Sequence, residues 1–172
     1  MTKLIAAFVF FGLTPLNVSA HERTHVHGLA EVSIAAEAGS RTAMVTFEAS
    51  GDSILGTERK AKSAQEKAAE KRNLERLEKN LPAFVIFDPS LACLWQTKEL
   101  KVDTHGKHAD VEGTFEIVCQ TPLEQGSVRV QLASAFPSLV GIKVQALIGP
   151  RQRSATVDAK NSVATIKMGD DK

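Results

Sequence analysis

The chain has 172 residues, with 21 Lys and Arg against 20 Asp and Glu, five His and two Cys. Acids and bases are interspersed rather than gathered, which argues against nucleic-acid binding, where a basic surface must face the phosphates. A hydrophobic content of 43% suffices for one packed core.

The first segment, Met1 to Ala20, carries Lys3, the apolar run Leu4 to Leu13, a breaker at Pro15 and the small-residue ending Val18-Ser19-Ala20. This is the pattern of a secretory signal peptide. Its apolar run is about half of the roughly 20 residues needed to span a bilayer, so no membrane span is expected in the mature chain. No cysteine follows the cleavage site to carry a lipid. Cleavage after Ala20 would make His21 the new N-terminus of a single domain over 21–172. Loss of Lys3 then leaves acidic and basic side chains in balance.

From Val26 to Ala36 the apolar Val26, Ala30, Val32 and Ile34 alternate with His25, His27, Glu31 and Ser33, the period of a strand. After the turn signal Ala38-Gly39-Ser40, Thr42 to Glu48 reads as its hairpin partner. Thr57 to Asn80 is rich in Ala, Glu, Lys, Arg and Gln, with Ala64, Ala68, Leu74, Leu77 and Leu81 at helical spacings, and should end before Pro82. Its charged face reads as solvated, with no chemistry assigned. Strands follow at Ala83 to Phe87, Ala92 to Val102, Val111 to Gln120, Ser127 to Leu132, Ile142 to Ile148, Ser154 to Asp158 and Ser162 to Met168, with a helical turn over Ser134 to Leu139. The expected class is α+β, an antiparallel-rich sheet packed by one long helix.

Cys93 and Cys119 form an even count in an exported chain, which reads as one disulfide; a thiolate metal site is disfavoured because no histidine adjoins either cysteine. If they join neighbouring antiparallel strands, their midpoint falls at Gly106, and His105-Gly106-Lys107-His108 is the tip of that hairpin. The apolar phase of Leu94, Leu100 and Val102 fits that of Val111, Phe115 and Ile117 across the pair only with a bulge.

All five histidines lie in two short clusters, His21, His25 and His27 near the start and His105 and His108 downstream. Imidazole is the commonest protein ligand for zinc and copper, so the clustering points to metal; solvated loops are the competing reading. Two residues apart on a strand point the same way, which would set His25 and His27 on one face with Glu31 farther along it. Two histidines with a carboxylate or third histidine make a common zinc set. An N-terminal His21, chelating through its amino and ring nitrogens, would favour copper.

The stretch His25-Val26-His27-Gly28-Leu29-Ala30-Glu31-Val32-Ser33-Ile34-Ala35, the central Ala92-Cys93, the strand Phe115-Glu116-Ile117-Val118-Cys119 and Phe136-Pro137-Ser138-Leu139 before Ile142-Lys143-Val144-Gln145 resemble the ZrgA-like family of exported zinc-uptake accessory proteins. The resemblance implies a periplasmic zinc-binding protein that assists uptake and hands its ion to a membrane zinc transporter or that transporter's binding protein. His25 and His27 match the family's His-x-His-Gly. Relatives carry a long His, Asp and Glu-rich insertion between the two cysteine-bearing strands, where this chain has Asp103-Thr104-His105-Gly106-Lys107-His108-Ala109-Asp110. Few bound ions are therefore expected, and zinc affinity should fall as protons compete for histidine near pH of about 6.5.

Two other classes compete. One is a Cu2+-binding protein or copper redox enzyme using His21, against which stand the absence of Tyr and the single Trp95. The other is a non-metal envelope protein acting by protein contact. An enzyme is not expected: no Gly-x-Ser-x-Gly elbow, phosphate-binding glycine loop or His-Glu-x-x-His helix occurs.

Overall fold

A computed structural model of the protein describes residues 27–132 and 135–170. It contains β1 (Leu29–Ala36), β2 (Thr42–Ser50), α1 (Gly51–Leu55), α2 (Ala64–Phe84), β3 (Val85–Phe87), β4 (Leu94–His105), β5 (His108–Val118), β6 (Ser127–Gln131), β7 (Gly141–Ile148), β8 (Arg151–Asp158) and β9 (Val163–Lys167). A six-stranded sheet runs β4-β5-β2-β1-β7-β8 and a three-stranded one runs β3-β6-β9. Strand exceeds helix by 48% to 23%, so the α+β expectation is corrected to a sheet-dominated fold with one long helix. Every strand pair described is antiparallel except β1 with β7, whose connection contains β2 to β6 and both helices.

Alternation builds the core. Ala30, Val32 and Ile34 of β1, Val45 and Phe47 of β2, Phe115 and Ile117 of β5 and Ile142 and Val144 of β7 are all buried on one face of the large sheet. They meet Leu77, Leu81 and Phe84 of α2 and Val128 and Val130 of β6 in one cluster. Phe84 makes edge contacts with Phe47 at 6.2 Å and Phe136 at 6.4 Å, pinning the end of the helix to the sheet. Trp95 and Phe115 stack edge-on at 5.7 Å.

The helix differs from its sequence pattern at both ends. It starts at Ala64 instead of Thr57 because Ser63 accepts from the Glu66 N–H while the Glu66 carboxylate accepts from the Ser63 N–H. It runs through Pro82 to Phe84 because the burial of Leu81 and Phe84 outweighs one missing N–H in the last turn. Residues 57–63 are thereby released as a loop. Over 135–139 the chain forms a turn between β6 and β7, with Leu139 N–H donating to Phe136 C=O at 2.9 Å.

The Arg59 guanidinium, followed by the Ser63 and Lys62 amides, holds the Glu66 carboxyl down from 4.5 to about 2. A carboxyl depressed on folding contributes stability above its unfolded value, and the contribution is lost as pH falls toward the folded value. Glu66→Gln should therefore flatten part of the loss of thermal stability between pH 4.5 and 2, measured by melting across that window. The change should be modest because the group is exposed. Asp88 and Asp170, also depressed, by Ser90 and Arg151 respectively, keep the remaining slope.

Cys93 and Cys119 are joined, at the base of the β4–β5 hairpin. The ladder ends at the pair His105 and His108, with Gly106-Lys107 as the two-residue tip. The register shifts between Thr97 and Glu99, the bulge that the apolar phases required.

Candidate functional site

One end of the large sheet gathers the turn before β1, the helix α1 with the loop after it, and the β4–β5 tip. His27 stands in that turn, not in β1 as the alternation suggested, because Gly28 has φ +79° and redirects the chain. A Cβ at Gly28 would also lie 2.8 Å from Val140 Cγ2, so glycine is required twice over. Its N–H donates to Ser53 Oγ at 3.0 Å, and Ser53 Oγ bonds Ser50 Oγ at 2.8 Å. Its carbonyl accepts from Val140 and Gly141 at 2.7 and 3.1 Å. His27 is thus carried by a backbone fixed from two sides.

Opposite it lies Glu58. His27 Nδ1 is 2.8 Å from Glu58 Oε1, and His108 Nδ1 is 3.3 Å from Glu58 Oε2. Two histidines from distant parts of the sequence therefore share one carboxylate, each facing a different oxygen. Asp52, in the first turn of α1, brings a third donor: ligand atoms of His27, Asp52 and Glu58 all lie within 4.8 Å of one another. The imidazoles are 62% and 66% exposed, so an ion held here would stay open to solvent and to exchanging ligands.

Local packing sets this geometry. Gly51 presses α1 against the start of β5, where an added Cβ would meet Ala109 O at 2.5 Å and Thr57 O at 2.7 Å. Gly56 N–H closes α1 on Asp52 O at 3.1 Å, and Asn73 Nδ2 of α2 donates to Leu55 O at 3.3 Å. Arg59, next to Glu58, is tied to Glu66 at the N-terminus of α2, so its charge is directed away from the His-facing carboxylate. Gly51→Ala should push α1 from Ala109, costing about 1–3 kcal/mol as overpacking does. It should also weaken any zinc binding at this site, because Asp52 and Glu58 shift against His27; denaturant melts and zinc titration of the variant check both.

The other residues singled out in the sequence fall differently. His21 and His25 lie outside the described residues, as does the side chain of His105, whose backbone pairs with His108 at the hairpin end. Glu31 is on the exposed face of β1, 3.6 Å from Lys143 Nζ, and is not in the His27 group. The assumption that strand alternation aligns it with His27 fails because the strand begins after Gly28. Asp52 and Glu58 were not foreseen. Composition and spacing alone start the helix at Thr57 and put Glu58 on a solvated helical face; the Ser63-x-x-Glu66 capping signal places Glu58 in a loop.

The groups gathered here, the His27 imidazole and the Asp52 and Glu58 carboxylates with the His108 imidazole beside them and both cysteines committed to a disulfide, are nitrogen and oxygen ligands of the kind zinc accepts. Among the described residues no helix is long and apolar enough to cross a membrane. A comparison with curated proteins found no match. The profile described as ZrgA family zinc uptake protein matches residues 24–166, and a match over that much of the chain means that the protein belongs to the ZrgA family of zinc uptake proteins.

Proposed function

We propose that this protein binds a single zinc ion as cargo in the periplasm, through His27, Asp52 and Glu58, and releases it to a membrane zinc transporter or that transporter's binding protein. The observation that carries the reading is the convergence of His27, Asp52 and Glu58, whose ligand atoms all lie within 4.8 Å of one another, with His108 facing the second Glu58 oxygen. Such exposed histidines have no packing reason to converge there, and a carboxylate between them supplies charge for a divalent cation. Family membership supports zinc as the ion.

Three protein donors leave a fourth position open in a tetrahedral sphere. An open position suits handover, since an acceptor's ligand can bind before a donor's ligand leaves. Export through the leading 20 residues fits the single disulfide, which persists in an oxidising compartment. His25, two residues before His27, remains a further candidate donor, as do His21 and His105; Glu31 is a weaker one, given its place beside Lys143.

Calorimetric titration of the processed protein with Zn2+ tests the reading. One tight site per chain that is lost on changing His27 to Ala and Asp52 to Asn supports it. Absence of tight zinc binding by the parent overturns it, and preferential Cu2+ binding that needs a free His21 amino group replaces it with the copper alternative.

A further inference from the structure

Resting on this zinc-binding reading, we propose that the β4–β5 hairpin tip is where the ion lands, and that Glu58 carries it across from His108 to His27 and Asp52. Glu58 is placed for this by its two-sided contacts, Oε1 toward His27 and Oε2 toward His108. His108 is not in the compact group formed by His27, Asp52 and Glu58. A static four-ligand site would draw all four donors together. The arrangement is instead two unequal half-sites with one shared carboxylate.

The distances separate their roles. Zinc bonds of roughly 2.0–2.2 Å place neighbouring donors of a tetrahedron about 3.3–3.6 Å apart. His108 Nδ1 and Glu58 Oε2, at 3.3 Å, already stand at that separation. His27 Nδ1 and Glu58 Oε1, at 2.8 Å, stand at hydrogen-bond distance and must spread to admit an ion. The hairpin side can thus take zinc without rearrangement but with two donors. The inner side holds it with three after a small opening.

Transfer needs no redox change and no added reactant. Zinc held by His108 Nδ1 and Glu58 Oε2 gains a bond to Oε1, then to His27 Nδ1 and an Asp52 oxygen. The bonds to His108 and Oε2 break. Each imidazole in turn offers its Nδ1 lone pair in the Nε2–H tautomer, reached by proton exchange with water, so no net proton is consumed. Glu58 stays attached throughout, which avoids a fully hydrated intermediate.

A relay residue affects rates in both directions and leaves the final affinity unchanged, whereas a ligand of the final site affects affinity. Stopped-flow zinc association and chelator-driven dissociation, with equilibrium titration, should therefore be compared for the processed parent and His108→Ala. His108 is exposed at a hairpin tip, so its replacement should not disturb folding, and a melt of the variant verifies this. The expected result is association and release both slower by about tenfold or more at unchanged Kd, within the range that single changes produce in binding rates. A weaker Kd with unchanged association makes His108 an ordinary ligand and overturns the relay, as does no change in either rate. Failure of the parent to bind zinc removes the zinc reading itself, a result distinct from both.

Discussion

Changing Glu58 to Ala should cost more zinc affinity than any other single substitution, with the fold retained. Its carboxylate contacts both histidines, at 2.8 and 3.3 Å, and closes the donor group with Asp52. Its removal leaves two imidazoles without the negative charge between them. Changes that only disturb the surroundings of metal ligands cost about 10–100-fold in affinity, so loss of this ligand should exceed about 100-fold. Stability of the metal-free protein should barely move, because Glu58 is partly exposed in a loop and outside the core cluster. Glu58→Gln sharpens the test: the amide keeps the shape but not the charge, and it too should lose most of the affinity. Zinc titration of both variants, with melts in the presence of a chelator, checks the pair of expectations. Near-parental affinity in Glu58→Ala would remove Glu58 from the site.

Loss of the disulfide should have the largest effect on stability. It closes a 26-residue separation, for which the chain-entropy model gives about 3–4 kcal/mol. In a chain of this size that corresponds to a fall in Tm of about 6–16 °C. The effect on zinc should be much smaller. Cys93 and Cys119 stand at the base of the hairpin, and the ladder from Glu99 and Thr114 to His105 and His108 holds the tip beyond the bulge. Thermal melts and zinc titrations of Cys93→Ala with Cys119→Ala should show a large loss of the first quantity beside near-parental affinity. Equal losses in both would mean that the base of the hairpin positions its tip.

The hairpin was the most legible part of the site. Two cysteines, one glycine midway and an apolar phase mismatch give its base, tip and bulge, because strand pairing imposes a fixed relation between sequence distance and spatial partner. The β1–β2 hairpin was legible for the same reason, from a period-two pattern on either side of Ala38-Gly39-Ser40. His27 was recognised as a candidate, but its setting was not. Alternation continues through Val26 and His27 in the sequence, while the backbone breaks it at Gly28 to approach Val140 closely.

Asp52 and Glu58 were illegible for a different reason. Acidic residues are ordinary on surfaces, and nothing local marks these two among the chain's 20. Their position beside His27 follows from Gly51 seating α1 on Ala109, and from the start of α2 at Ala64, which leaves Glu58 in a loop facing two histidines.

The sequence by itself determined the leading signal pattern, the cysteine pairing, the main strands, the long helix and the histidine clusters, all of which rest on composition or short-range periodicity. Tertiary structure alone decided that the clusters share a carboxylate, that Glu31 stands apart, and that β7 pairs in parallel with β1 beside the turn bearing His27. Those facts depend on which distant backbones pack together. Packing is settled by burying Phe47, Phe84 and their neighbours in one core, a long-range balance that no local pattern encodes.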